Sequence, residues 1–329
     1  MAVHLQLMPV LESGDDPLIG GQAVIEGVMM RAPHSYCTAV RKPNGEVVTQ
    51  EQTISRPSER RKFWGWFGIR GLATLGQAMK LGFKALQFSA AHAIDEEEEK
   101  AAKKESKGES GEKKSAEIPG WMMALNIAFS LGFFIFLYKF VPLVAATQIQ
   151  ERTGWLEGNF GFSLADGVIR LAIFLAFLTL VSRMKDIRRV FQYHGAEHKV
   201  VFNYESGKPV EVANAQAFKT FHPRCGTSFL MVVMIVSIAV YALIPFEGFA
   251  ARFLSRIVML PVIAGLSYEV IRFASRRGNR VMGWLVAPGL WLQRITTKNP
   301  SDEQVEISIR ALKGAMDLEQ KQGGELIVA

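Results

Sequence analysis

The residues best equipped for chemistry in this sequence are His194-Gly195-Ala196-Glu197-His198, an H-x-x-E-H pattern. Histidines four apart on a helix project from one face, which places two imidazoles to grip one metal ion. A neighbouring carboxylate is then placed to take a proton from water whose pKa the metal lowers, which makes Glu197 the candidate general base. Further along, His222-Pro223-Arg224-Cys225 adds another imidazole and a thiol just before a long apolar run. A cysteine near the positive N-terminus of a helix favours the thiolate that a metal needs. The candidate ligands are therefore His194, His198, His222 and Cys225, with zinc as the metal these donors suit best, and Glu26 and Glu205 as additional oxygens. A shell closed by all four makes a structural site, whereas three protein ligands leave a position for water. Two buried histidines hydrogen-bonded to carboxylates give the same sequence pattern without a metal.

The element that must present these side chains is a helix. Ile187, Phe191, His194, His198, Val201 and Glu205 recur at intervals of four and three, whereas Arg188, Gln192 and Lys199 point elsewhere. The histidines are thus expected on the inward face. If the apolar segment before them continued as a straight helix, His194 would stand about 18 Å beyond its end at ~1.5 Å per residue. His222 lies close to the next apolar segment, so the helix must bend or the loop must climb.

The surrounding segments read as a membrane protein. A spanning helix needs about 20 mostly apolar residues to cross a hydrocarbon core about 30 Å thick. The first candidate runs from about Pro119 to Ala146, with Lys139 expected close enough to an end to snorkel. The second runs from about Leu164 to Val181, with Asp166 and Arg170 near its start. The third, Thr227 to Phe246, is uncharged, and the fourth, about Phe253 to Phe273, holds Arg256, Pro261 and Glu269. Polar residues inside the spans reduce to Asn126 and Ser130, which gives no support for a conduction path. Val281 to Leu292 is too short to span and is interrupted by Ala287-Pro288-Gly289, so an interfacial or re-entrant segment is expected. Basic residues concentrate in the connection from Ser182 to Gly226, which holds Arg183, Lys185, Arg188, Arg189, Lys199, Lys208, Lys219 and Arg224. The connections 142–163 and 247–252 have one each. This alternation predicts four spans with both termini in the cytoplasm of a bacterial cell, at its inner membrane.

The net charge of +7 is accounted for by those loops, and no RNA-binding box or zinc-finger spacing accompanies it, so nucleic acid is excluded as a partner and membrane lipids are expected. Two cysteines, Cys37 and Cys225, make no disulfide framework. The first 17 residues lack a basic-then-apolar start and read as a flexible N-terminus rather than a cleaved signal. Residues 18–58 read as a β segment: glycines bracket an apolar strand from Gly20 to Arg31, and residues 36–54 form a hairpin about Pro43-Asn44-Gly45. Residues 59–94 mix bases with Phe63, Trp64, Trp66 and Phe67 and then show a stripe of Ile69, Leu72, Met79, Phe83, Leu86 and Ala90. They predict an amphipathic helix lying on a membrane, the competing reading being a soluble core helix. Residues 95–118 contain nine acidic and six basic side chains and read as a disordered tether. A C-terminal helix is expected over about Ser301 to Met316, with 317–329 as a tail.

At these motifs the chain resembles a known family. GGQAVIEGVMMR (Gly20 to Arg31), YHGAEHKVV (Tyr193 to Val201), HPRCGTSF (His222 to Phe229) and PGLWLQRITTKNPSDEQVE (Pro288 to Glu306) are similar to the YqhQ-like bacterial membrane proteins. That resemblance implies a metal-dependent enzyme without assigning a reaction. The five-residue histidine motif alone is also similar to that of inverzincin metalloproteases, but no distant third glutamate ligand is identified, and a protease is not implied.

The sequence therefore predicts an α-helical membrane protein with about four transmembrane helices and a small cytoplasmic α+β module built from the N-terminal β segment, the 183–226 loop and the C-terminal helix. The expected activity is metal-dependent hydrolysis at the cytoplasmic face. The alternative is a membrane assembly or transport component whose metal is structural.

Overall fold

The computed structural model describes residues 19–55, 62–93, 120–153, 158–222, 225–244, 248–277 and 280–322. The first 17 residues and the charged tether lie outside them, as does most of the tail. The described chain divides into two compact units.

The first unit takes in the N-terminal part, residues 178–236 and the chain from 261 onward. Its centre is a four-stranded antiparallel meander: β1 (Gly20–Val24), β2 (Gly27–Arg31), β3 (Ser35–Arg41) and β4 (Val47–Thr53). The expected hairpin is β3–β4. Its turn closes through Gly45 N–H on the Lys42 carbonyl at 2.9 Å, with Gly45 at φ +86°. The segment from Gly20 to Arg31, expected to be one strand, is instead the hairpin β1–β2. It folds back at Ile25-Glu26, a pair without the usual turn residues, and Glu26 takes φ +51°.

Side chains of successive strand residues face opposite ways, and here both faces are covered. Val28, Met30, Cys37 and Ala39 join a core with Tyr193, Ala196 and Val200 of α5 (Lys185–Glu205) and Val305, Ile309 and Leu312 of α11 (Asp302–Lys321). Val24, Met29, Tyr36 and Val40 pack on Leu81 and Ala85 of α1 (Ile69–His92). The C-terminal helix runs five residues beyond its expected end, and Ser301 starts it with a capping box to Gln304. The apolar stripe of α1 is turned away from this core. Its buried face is Gly71, Thr74, Leu81, Gly82, Ala85 and Ser89, whereas Met79 and Phe83 are 68% and 55% exposed.

The second unit comprises residues 94–177 and 237–260. In it α2 (Gly120–Ile135) continues through a π-helical turn, Phe136–Phe140, into α3 (Val141–Thr153), and the chain returns in α4 (Gly158–Val181). The C-terminal part of α7 (Gly226–Leu243) and α8 (Phe249–Val258) complete it. Leu143, Ala146 and Phe162 form its apolar centre with Ile169 and Phe253. Lys139 does not sit at an end of its helix as expected. It occupies the π turn and is buried, beside buried Asp166, Arg170 and Arg256, so these helices are not as free of charge as the sequence suggested.

Among the described residues three helices are long and apolar enough to cross a membrane: Ala128–Thr153, Gly158–Val181 and Gly226–Leu243. Phe249–Val258 with Leu260–Phe273 makes a fourth if that bent pair counts as one span. The first extends seven residues beyond its expected end at Ala146. The segment expected to break at Ala287-Pro288-Gly289 is instead one helix, α10 (Arg280–Thr296), which follows α9 (Leu260–Arg277). Pro288 costs one backbone hydrogen bond there, and Gly289 permits backbone-close packing, since a Cβ at this position would lie 2.6 Å from Ser228 Cα.

Candidate metal centre

The histidine helix is set up by a break and a close approach. α4 ends at Val181 and α5 begins at Lys185, so the histidine helix is a separate element and does not continue the apolar one before it. Gly195, which would weaken an isolated helix, is here because of its neighbour. A Cβ at this position would meet the Lys298 carbonyl oxygen at 2.0 Å. The segment after α10 thus lies directly on α5, with Lys298 N–H donating to the Phe191 carbonyl at 2.8 Å. Gly21 of β1 makes a similar approach from the sheet, its missing Cβ lying 2.6 Å from Glu197 Cγ.

These approaches orient both imidazoles. His194 Nδ1 is 2.8 Å from the Thr296 carbonyl oxygen, and His198 Nδ1 is 2.5 Å from that of Thr220. A carbonyl only accepts, so each Nδ1 carries the proton and donates it, leaving each Nε2 with a lone pair. Fixing the tautomer from behind in this way is the usual arrangement for metal-binding histidines. The two rings stand 4.5 Å apart, and His194 Nε2 lies 3.2 Å from Cys225 Sγ. One ligand atom from each of His194, His198 and Cys225 falls within 4.8 Å of the others. Donors around a tetrahedral zinc stand about 3.3–3.8 Å apart, as bonds of ~2.0–2.3 Å dictate. The two-nitrogen, one-sulfur set therefore fits a zinc ion after small adjustments.

Glu197 is buried and presents Oε2 3.4 Å from His198 Nε2, on the side of the cluster. His222 is nearby but outside the trio. Its ring is 5.6 Å from that of His198, and its Nε2 faces Glu205 Oε2 at 3.6 Å. Gln293 holds the His222 backbone from both sides, accepting from its N–H at 2.7 Å and donating to its carbonyl at 2.8 Å. Glu205 thus belongs with His222 rather than with the trio. Glu26 is directed elsewhere: it pairs with Arg189 and accepts from Tyr193 OH at 3.2 Å. That partnership raises the Arg189 pKa, while burial and then the Glu26 charge raise that of Tyr193.

Lys199, expected to point away from the core, is buried. Its Nζ donates to the carbonyls of Gln216, which ends the short helix α6 (Val212–Gln216), and of Phe218; this pins the loop carrying Thr220 and His222, and burial lowers the lysine pKa. The residues that sequence reasoning missed are the supports Thr220, Gln293, Thr296 and Lys298. They act mainly through backbone groups, or through an amide whose type predicts nothing, so their side chains carry no signal. Gly195 and Gly21 were the available clues to a close approach.

The trio opens into a cleft of about 390 Å³. Glu197, His194, His198, His222 and Cys225 line one part of it, and Ile19, Met29, Leu81, Phe191 and Leu230 supply an apolar wall with Gln22, Arg31 and Thr227.

Residues 66–318 match the family described as "Protein of unknown function (DUF1385)". The chain is 34% identical over 310 residues to the "Uncharacterized protein YqhQ" of Bacillus subtilis (strain 168), covering 92% of this chain and 93% of that one. No solved structure matches. With a match over most of its length to both, the chain belongs to the YqhQ-like family, DUF1385.

Proposed function

We propose that this protein is a zinc-dependent hydrolase at the cytoplasmic face of the bacterial inner membrane. His194, His198 and Cys225 hold the ion, and Glu197 is the general base. The observation that carries the reading is the pair of Nδ1–H groups tied to the Thr296 and Thr220 carbonyls, which leaves two Nε2 lone pairs converging with Cys225 Sγ. A bound zinc ion supplies Lewis acidity, polarising both a scissile carbonyl or phosphoryl oxygen and the attacking water. Glu197 takes the proton that water loses, and the apolar cleft wall excludes bulk solvent from the exchange. The wall suits a substrate with an apolar chain, and Arg31 in the lining suits one with an anionic group. A lipid-linked ester, amide or phosphoester meets both conditions.

The membrane placement is supported by surface chemistry. The three apolar helices have mean hydropathies of 1.9, 2.1 and 2.2 over windows only 22%, 17% and 28% buried. That much exposed apolar surface is a marker of lipid contact. The outward stripe of α1, with Trp66 and Phe67 exposed just before it, suits a helix lying at the headgroup level. The bases between Ser182 and Gly226 support a cytoplasmic side for this segment, since basic loops are retained there.

One observation favours a structural site instead. Glu197 Oε2 lies 3.4 Å from His198 Nε2, outside the three-residue set, and a shift of its side chain towards the trio would make it a fourth ligand and close the shell. Glu197→Gln separates the two. A general base leaves about one zinc per chain in purified protein while a deletion strain fails to be complemented. A fourth ligand shows weakened metal binding. Full complementation by this variant would end the general-base assignment.

A further inference from the structure

The helical unit buries a second group of ionisable side chains, unrelated to the histidines. Lys139, Asp166, Arg170 and Arg256 are 6%, 0%, 5% and 3% exposed. Three of these are cations gathered round one ring. Lys139 Nζ, Arg170 Cζ and Arg256 Cζ lie 5.8, 5.5 and 5.1 Å from the centroid of Tyr241. A fourth cation, Arg252, lies 4.1 Å from the adjoining Phe162 ring.

The carboxylate in the group does not balance them. Asp166 uses Oδ2 for both Arg170 and Arg256, the latter at 3.3 Å, and its Oδ1 has no hydrogen-bond partner among the described residues. Arg170 donates to Ser237 Oγ at 3.0 Å as well, yet its Nε is buried without a partner among the described residues. No ion pair reaches Lys139 among the described residues. Buried cations are unfavourable unless paired, and an unpaired lysine among arginines is more so. The π turn that carries Lys139 is a rare distortion, frequent at functional sites. Asn159, Ser163, Arg252 and Arg256 line a small opening of about 10 Å³ with Phe162 and Tyr241, room for one oxygen-sized group.

We propose that this group binds one oxygen of a phosphate through that opening, and that the phosphate belongs to the headgroup of an anionic membrane lipid. The anion supplies the negative charge that Asp166 lacks. The lipid source follows from the helix surface around the site, where Leu164, Val168, Leu254 and Val258 are 44%, 56%, 60% and 55% exposed. A molecule that reaches the cations past such a surface is itself apolar. This source rests on the membrane reading above, whereas the anion site does not.

The test uses the full chain purified in a neutral detergent, with its melting temperature followed during titration with phosphatidylglycerol, phosphatidylcholine or inorganic phosphate. Phosphatidylglycerol is expected to raise the midpoint saturably, and phosphatidylcholine to leave it unchanged. Lys139→Met, which keeps the side-chain length and removes the unpaired charge, should raise the lipid-free midpoint and weaken the phosphatidylglycerol response at least tenfold. Arg152→Gln, the same charge change at an exposed position, should respond as the parent does. An equal rise with inorganic phosphate at matched concentration would overturn the lipid source while supporting the anion site. A response shared by both lipids would overturn the proposal, as would an undiminished response in Lys139→Met. If that variant does not fold, the comparison of the lipids on the parent protein decides the matter alone.

Discussion

Gly195→Ala tests the construction of the metal centre, because two effects of opposite sign meet there. In a helix interior alanine is favoured over glycine by about 1 kcal/mol, so a glycine without a packing role would yield a more stable protein. In this fold the added Cβ would lie 2.0 Å from the Lys298 carbonyl oxygen, against an ordinary contact beginning at 3.4 Å. The segment after α10 must then retreat by about 1.4 Å. Two hydrogen bonds join α5 to this segment and the end of α10, Lys298 N–H to the Phe191 carbonyl and His194 Nδ1–H to the Thr296 carbonyl; each is 2.8 Å and would pass beyond bonding range. Their loss costs about 1 kcal/mol each, and overpacking adds about 1–3 kcal/mol. After subtracting the helical gain, the variant should be about 2–4 kcal/mol less stable. For a unit of this size that is roughly 4–16 °C in melting temperature. Freed from its carbonyl, His194 should also bind metal about 10–100-fold more weakly.

The control is Gly76→Ala in α1, where an added Cβ meets nothing within 4 Å and the helical gain of about 1 kcal/mol should appear alone. Thermal melts of both variants, with zinc affinity measured by chelator competition, make the comparison. A Gly195→Ala protein that melts with or above its parent and keeps its metal would refute the close approach and the support it gives His194.

Two further outcomes follow from the site and its core. Cys225→Ser should lose most bound zinc on elemental analysis, whereas His222→Gln should retain it, because His222 faces Glu205 rather than the trio; equal losses would make His222 a ligand. Burial, reinforced by Glu51 and opposed by Arg310, pushes the Cys37 thiol from 9.0 up to about 12. The folded form therefore holds a proton that the unfolded form releases above pH 9. This contribution is complete below pH 9 and is lost as pH rises towards 12, by about 1.4 kcal/mol per pH unit. Denaturant titrations at pH 8 and 10 should show a smaller pH loss in Cys37→Ala than in the parent, and an identical loss would remove Cys37 from that account.

The elements were legible where a local signal specified them. The β3–β4 hairpin follows from Pro43-Asn44-Gly45, and the His194 and His198 pairing follows from helical spacing alone. The β1–β2 turn was not legible because Ile25-Glu26 has no turn chemistry, and the ion pair of Glu26 with Arg189 is made across 163 positions of sequence. The α10 helix was read as broken because Pro288-Gly289 breaks isolated helices; contact between Gly289 and Ser228 overrides that preference.

The charges inside the helices went unread for a related reason. Each of Lys139, Asp166, Arg170 and Arg256 falls near a segment boundary in sequence, where snorkelling is the simplest account. Only the fold brings them round Tyr241. The same limit separates the ligands from their supports. His194, His198 and Cys225 announce themselves by type and spacing, but the tautomers that aim them are set by backbone carbonyls of Thr296 and Thr220. A carbonyl is present at every residue, so its use at one of them leaves no trace in composition. What sequence does retain is the absence of a side chain where two backbones must meet, and Gly195 is the residue by which that half of the site is read.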